Sequence, residues 1–323
     1  MPLSEFQLIE RFFRDAGAAR GDVTLPIGDD AALIECPADR TLVAAIDTLV
    51  EGVHFPRGSP ARSIGHRSLA VNLSDLAAMG AEPAWALLAL TLPRADEQWL
   101  ADFSRGFAAL AREHGVALVG GDTTSGPLCV TVQILGLIEA HTALTRSGGK
   151  PGDLLFVSGT PGDAAAGLQL EQGRMRLADE VIAGELTARF RFPTPRIALG
   201  RRLREFASAC IDVSDGLLGD AGKLAHASGC AAMLDLERLP ISTALGAALG
   251  ERRAREIALT GGDDYELCFA GPAARQPALR AALPPDDWGY RQIGKLSEGS
   301  GARVRERGTV IEFSHSGFDH FHE

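Results

Sequence analysis

Arg146-Ser147-Gly148-Gly149-Lys150-Pro151-Gly152-Asp153-Leu154-Leu155-Phe156-Val157-Ser158 divides the sequence in two. Its first eight residues are the densest cluster of turn formers in the chain, and an apolar, β-branched strand pattern starts directly after them. Upstream, Ser4 and Gln7 form a capping box that opens a helix, with Leu8, Ile9, Phe12 and Phe13 at helical spacing before Gly17. Strand patterns follow at Ala31–Ile34, Thr41–Val50, Leu87–Leu92 and Val130–Ile138, and helical patterns at Ile64–Met79 and Gln98–His114. Downstream the alternation resumes. Helices are expected at Asp163–Gln172, Pro195–Ala207 and Leu217–Ser228, and strands near Cys210–Val213, Ala231–Leu236, Glu266–Phe269 and Arg291–Leu296. Each half is therefore α/β, with mixed sheets flanked by helices. The expected domains are residues 1–148 and 149–323, in keeping with a 323-residue chain at roughly 100–200 residues per domain.

Composition narrows the function. The chain has 32 basic and 42 acidic residues, a formal charge of -10, which argues against a protein that lives on nucleic acid or an anionic membrane. The five cysteines are scattered, odd in number and without a C-x-x-C pair, the usage of a reduced, cytoplasmic protein. Glu5 stands where an export signal would carry positive charge, and the densest apolar run, Trp85–Leu92, is far shorter than the ~20 residues a spanning helix needs. The expected protein is cytoplasmic, with no membrane partner.

Six acidic segments adjoin glycine or the end of an apolar strand: Gly28-Asp29-Asp30, Asp47-Thr48-Leu49, Asn72-Leu73-Ser74-Asp75, Gly120-Gly121-Asp122-Thr123, Asp212-Val213-Ser214-Asp215-Gly216 and Gly261-Gly262-Asp263-Asp264. Any one of them reads equally well as a turn or helix-capping aspartate. Six together point elsewhere, because converging carboxylates repel unless cations neutralise them. An oxygen-only donor set selects Mg²⁺ over zinc, and Mg²⁺ commonly completes its shell with water and substrate phosphate. The standard nucleotide motifs are missing: there is no G-x-x-x-x-G-K-[ST], no G-x-G-x-x-G and no protein-kinase signature. If the chain handles ATP, it does so with another architecture.

The ordered set Ile27-Gly28-Asp29-Asp30-Ala31-Ala32, Asp47–Phe55, Asn72–Gly80, Gly120–Thr124, Asp212–Leu217 and Gly261–Leu267 resembles that of the bacterial thiamine-monophosphate kinases, from Glu5 to the Gly317-Phe318-Asp319-His320-Phe321 tail. The resemblance implies two α/β domains of the aminoimidazole ribonucleotide synthetase type. It further implies a homodimer whose N-terminal sheets pair, through strands such as Val130–Ile138, and a C-terminal domain that completes the active site. The implied reaction, the last step of thiamine diphosphate synthesis, transfers phosphate from ATP to thiamine monophosphate in line, with no covalent catalytic residue. Carried over motif by motif, Asp30, Asp47, Asp75, Asp122, Asp212 and Asp215 would hold several Mg²⁺ ions. Gly121, Asp122, Arg146 and Ser214 would touch ATP; His54, Asp263 and Phe318 would touch thiamine monophosphate. Two positions depart from the family pattern. Ala45 and Ile46 stand where relatives carry Ser or Thr before the aspartate, so a metal contact there is left to a main-chain carbonyl. Asp263 stands where relatives often have Glu, and the shorter acid would reach its substrate through water.

Local readings stand beside these. Arg146 reads also as a turn residue, His54 as a paired histidine at a strand end, and Phe318 as an aromatic packed on its own domain. The tail histidines His315, His320 and His322 read as a solvated tail. At the level of function the rivals are a sister activity on the same fold, a non-enzymatic Mg²⁺ or nucleotide sensor, and a two-metal phosphohydrolase. A selenophosphate synthetase would need a reactive cysteine near the N-terminus, whereas the first here is Cys36, beyond the Gly28-Asp29-Asp30 turn.

Overall fold

Ser4 caps the first helix α1 (Glu5–Phe12): its backbone N–H donates to Gln7 Oε1 at 2.9 Å while its Oγ accepts from the Gln7 N–H at 3.4 Å. The computed structural model describes residues 4–313 and 317. They form two compact units, one of the described residues up to 76 with 81–141, the other of residues 77–80 with those described from 142 onward. Phe318, His315, His320 and His322 lie outside the described residues.

In the first unit β1 (Val23–Leu25) and β2 (Leu33–Ile34) form a hairpin, and a four-stranded sheet is built from β3 (Arg40–Val50), β4 (Glu82–Leu92), β5 (Ala117–Ser125) and β6 (Cys129–Glu139). Its order is β3-β6-β4-β5, with β4 and β5 parallel and the other pairs antiparallel. Helices α2 (Ala61–Met79) and α3 (Glu97–Glu113) supply the core, with Leu69, Leu73, Leu76, Phe103 and Phe107 fully buried. The two helices cross where neither has a side chain: a Cβ on Gly65 would stand 2.1 Å from the Phe103 carbonyl oxygen, and one on Gly106 2.0 Å from that of Arg62. The β1–β2 hairpin contributes Val23, Ala32 and Ile34 to a small cluster around Trp85, whose indole N–H donates to Asp22 at 3.0 Å. Outward-facing Leu42 and Ile46 on β3 stay exposed.

The topology corrects one expectation. Val130–Ile138 lies in β6, hydrogen-bonded to β3 and β4 on its two sides. It offers no edge to a second copy. The edges of this sheet are β3 and β5.

The second unit carries a seven-stranded sheet of β7 (Leu154–Ser158), β8 (Ala209–Val213), β9 (Ala231–Asp235), β10 (Glu266–Gly271), β11 (Tyr290–Ser297), β12 (Gly301–Glu306) and β13 (Thr309–Ile311). Its order is β13-β12-β9-β11-β7-β10-β8, mixed because β12 and β9 run parallel. Helices α4 (Asp163–Glu171), α5 (Glu180–Arg191), α6 (Ile197–Leu203), α7 (Leu217–Ala227), α8 (Thr243–Leu249) and α9 (Glu251–Thr260) flank it. The main core joins Leu217, Leu218, Ala221 and Leu224 of α7 to Ile211, Cys268, Ile293 and Val304 of the sheet. A smaller one joins α4, α5, α8 and α9 around Leu186 and Leu245. Among the described residues no helix is long and apolar enough to cross a membrane, and all five cysteines are free thiols.

Candidate active site

Two acids of the first unit share a cavity. Asp30 follows the Gly28-Asp29 bend and Asp122 sits on β5; both are exposed and line one cavity of about 1240 Å³ with Gly28 and Gly121, with α1 supplying part of its wall. The Asp30 N–H donates to Asp29 Oδ1 at 2.8 Å, which holds the bend in shape. Gly120 and Gly121 are not in a turn, as their composition suggested, but inside β5. Gly121 has a φ of +152°, and a Cβ there would stand 1.8 Å from the Leu88 carbonyl oxygen, so the glycine is needed by the β4 contact itself.

Asp47 and Asp75 lie apart from that cavity's lining. The pairing register sets Asp47 on a row with Val132, Leu88 and Gly121, so it is three strands, roughly 14 Å, from Gly121. Asp75 is not in a turn: Asn72-Leu73-Ser74-Asp75 belongs to α2, where Leu73 and Leu76 continue a buried helical face and leave Asp75 half-buried. His54 sits in the turn after β3, where the Val50 N–H donates to its Nδ1 at 3.0 Å. With Nδ1 accepting, the proton of the neutral ring is on Nε2.

In the second unit four of the expected residues converge. Asp212 and Val213 end β8, and Ser214 and Asp215 lead through Gly216 into α7. The antiparallel pairing of β10 with β8 brings the Gly261–Tyr265 segment alongside: the Asp263 N–H donates to the Ser214 carbonyl at 2.8 Å and the Tyr265 N–H to that of Val213 at 2.8 Å. Asp212, Ser214, Asp215 and Asp263 thus share one end of the sheet. The approach is tight, since a Cβ on Gly262 would lie 2.5 Å from the Ser214 carbonyl oxygen. Asp263 and Tyr265 pay for it with φ of +72° and +53°, values that cost a side-chain-bearing residue conformational energy. Arg146, exposed, lines a second cavity of about 1040 Å³ with Asp215, Lys223 and Gly317.

Behind that end lies a charge network that the motif search missed. Glu266, fully buried, accepts from Arg196 Nε and Nη2 at 2.6 and 2.5 Å, from Arg189 at 2.8 Å and from Ser158 Oγ at 2.5 Å. Burial opposes its ionisation, but the two guanidiniums outweigh burial and hold its carboxyl below the usual range. Asp264, also buried, accepts from the N–H groups of Gly162 and Ala164 at the start of α4, and burial pushes its carboxyl well up. The sequence signal was present as Asp263-Asp264-Tyr265-Glu266, three acids in four residues. Burial sorts them: Asp263 stays half-buried while Asp264 and Glu266, like Tyr265 between them, turn inward.

The donor set fits Mg²⁺. Every acid in question offers carboxylate oxygen, and Asp30 and Asp122 line one cavity; among the described residues no three His, Cys, Asp or Glu side chains come together as a metal-holding group. A cation of this kind takes one or two carboxylates and draws its remaining ligands from water and phosphate.

Residues 28–138 match the AIR synthase related protein N-terminal domain and residues 150–306 its C-terminal domain. These matches, the two mixed-sheet units and the acids at their strand ends define a two-domain α/β protein of the AIR synthase related class. The thiamine-monophosphate kinase of Salmonella typhimurium is 46% identical over 99% of both chains. The crystal structure of thiamine-monophosphate kinase from Stenotrophomonas maltophilia is 48% identical with a TM-score of 0.87, covering 96% of this chain and 99% of that one. AaThiL complexed with AMPPCP and TMP is 33% identical with a TM-score of 0.78, over 91% of this chain and 92% of that one. The chain belongs to the thiamine-monophosphate kinase family.

Proposed function

We propose that the chain phosphorylates thiamine monophosphate to thiamine diphosphate at the expense of ATP. The observation that carries this reading is its full-length similarity to thiamine-monophosphate kinases, one of which was solved with AMPPCP and TMP bound. A terminal oxygen of the acceptor phosphate attacks the γ-phosphorus of ATP in line, the bond to the β-phosphate oxygen breaks, and ADP leaves. Transfer between two polyanions by a protein of charge -10 is a problem of electrostatics and alignment rather than of covalent catalysis. Bound Mg²⁺ supplies the positive charge that screens both phosphates.

The residues divide the work. Asp30, Asp47, Asp75, Asp122, Asp212 and Asp215 would hold the Mg²⁺ ions; Gly121, Asp122, Arg146 and Ser214 would border ATP. His54 and Asp263 would bind the acceptor, the acid complementing its cationic thiazolium ring, with Phe318 as a further contact. Residues 1–148 are read as the metal, ATP and dimerisation domain, and 149–323 as the domain that completes the chemistry. The two edges of the first sheet support a homodimer: closing β3 of one protomer on β5 of its partner would hide both edges and the exposed Leu42 and Ile46. The pairing would also bring the Asp47 row of one copy towards the Asp122 strand of the other. Free thiols throughout suit the cytoplasm.

The test is incubation with ATP, Mg²⁺ and thiamine monophosphate, with the product identified by mass. Thiamine diphosphate formed in step with ADP, and abolished by a chelator, is expected. Inorganic phosphate released without an acceptor would make the chain a phosphohydrolase; binding without turnover would make it a sensor. Within the assay, Asp75→Asn is expected to lower kcat by two orders of magnitude or more, about 3 kcal/mol of barrier. Arg146→Ala is expected chiefly to raise KM for ATP.

A further inference from the structure

The start of α7 should be a phosphate site, and it is not free to be one. Three backbone N–H groups, those of Ser214, Asp215 and Gly216, point together at the head of the helix, the arrangement that ordinarily receives an anion. All three donate instead to a single oxygen of this chain, Asp220 Oδ2, at 3.0, 3.0 and 3.2 Å. Asp220 is 1% exposed. It lies one turn into the helix and curls back over its own N-terminus, so the protein fills its anion site with an internal carboxylate. Ser214 and Asp215 are then left to meet ligands through their side chains.

The second oxygen of Asp220 takes Lys223 Nζ at 2.8 Å, and the same ammonium reaches Asp215 Oδ2 at 2.5 Å. Asp215 Oδ1 has no partner among the described residues. Lys223 is half-exposed and faces the cavity that Arg146 lines. The acid that the proposed function makes a Mg²⁺ ligand is therefore already paired, through one oxygen, with a tethered cation.

We propose that Lys223, anchored by Asp220, is the resident counter-ion of Asp215 and competes there with the divalent cation. The inference rests on the reading of Asp215 as a metal ligand. Without Lys223, the carboxylates of Asp215 and Asp220 would be left at the head of α7 with no cation between them whenever no metal is bound. With it, the turn keeps its shape in the metal-free protein, and a divalent cation reaches Asp215 only by displacing the ammonium.

The consequence has a sign that damage to the fold does not share. Mn²⁺ binding to the nucleotide-free protein, followed by electron paramagnetic resonance, should tighten about fivefold at one site in Lys223→Met, the size of a half-exposed ion pair. Lys223→Arg, which keeps the cation, should bind as the wild type does. In an Asp215→Asn background that site should be lost and Lys223→Met should change nothing further, as a double-mutant cycle requires. Melting curves in the same buffer establish that the variants are folded. If Asp215→Asn removes a Mn²⁺ site but Lys223→Met leaves affinity unchanged or weakened, the counter-ion role is wrong and the metal assignment survives. If Asp215→Asn removes no site, the assignment of Asp215 as a ligand is wrong and this inference falls with it.

Discussion

Glu266 is the residue on which the second unit's site end rests. Its carboxylate is fully buried and neutralised by Arg196 and Arg189, and a Cβ on Gly159 would lie 2.0 Å from its Oε1. Removing the charge strands two guanidiniums, so Glu266→Gln should cost about 3 kcal/mol or more at neutral pH in urea denaturation. Its carboxyl is held below the usual range. The stability it confers is therefore complete above the unfolded-state value near 4.3 and drains away as pH falls from there through the folded value. Comparing the two proteins from pH 7 down to pH 3, the wild type should lose its advantage over Glu266→Gln below about pH 4.5. An advantage that persists undiminished in acid would mean that the pair does not titrate as the geometry requires.

At the scale of elements, the legible parts were those whose signal is local. The α1 capping box, the apolar faces of α2 and α3, and the β-branched runs of β3, β6 and β7 all fall where the periodicity placed them. β5 went unseen because its second half, Gly120-Gly121-Asp122-Thr123-Thr124-Ser125, has the composition of a loop. It becomes a strand by parallel pairing with β4, a contact remote in sequence. Asn72–Asp75 carried two readings, turn-forming residues inside the helical pattern Ile64–Met79, and the helix prevails because Leu69, Leu73 and Leu76 are fully buried, with Asn72 and Ser74 buried beside them. Gly121→Ala tests the β5 account. The added methyl meets the backbone of Leu88, which cannot give way, at an already unfavourable φ. A loss of about 2 kcal/mol or more in the urea midpoint is expected, whereas a neutral effect would mean that β5 is not docked in this register.

For the whole molecule the prediction concerns self-association. The outward face of β3 exposes Ile46 at 62% and Leu42 at 49%, on a strand with one unpaired edge, the kind of surface that soluble proteins cover. Light scattering should show twice the 34.1 kDa chain mass, and Ile46→Asp should shift the population to monomer with little change in circular dichroism. Because the proposed closure also gathers acids from two copies, that monomer should lose kinase activity. An active monomer would confine the site to a single chain.

What the sequence determined by itself was a class and a chemistry. Spacing of apolar residues set two α/β halves around the Arg146–Asp153 turn cluster, and the ordered acids, with scant His or Cys near them, pointed to an oxygen-ligated cation and phosphate ligands, because both signals reside in residue type and local order. The tertiary structure decided which acids meet. Asp30 and Asp122 share a cavity while Asp47 is a sheet-width away from Gly121, and Asp212, Ser214, Asp215 and Asp263 converge because β10 pairs with β8 across some fifty residues of chain. It also sorted the acids by task. Asp220, Asp264 and Glu266 carry the same functional group as the others, and Asp212 is buried as they are, but these three are taken up by N–H donors or cations of the chain itself. Burial and partner are properties of long-range packing, which no local pattern of residues encodes.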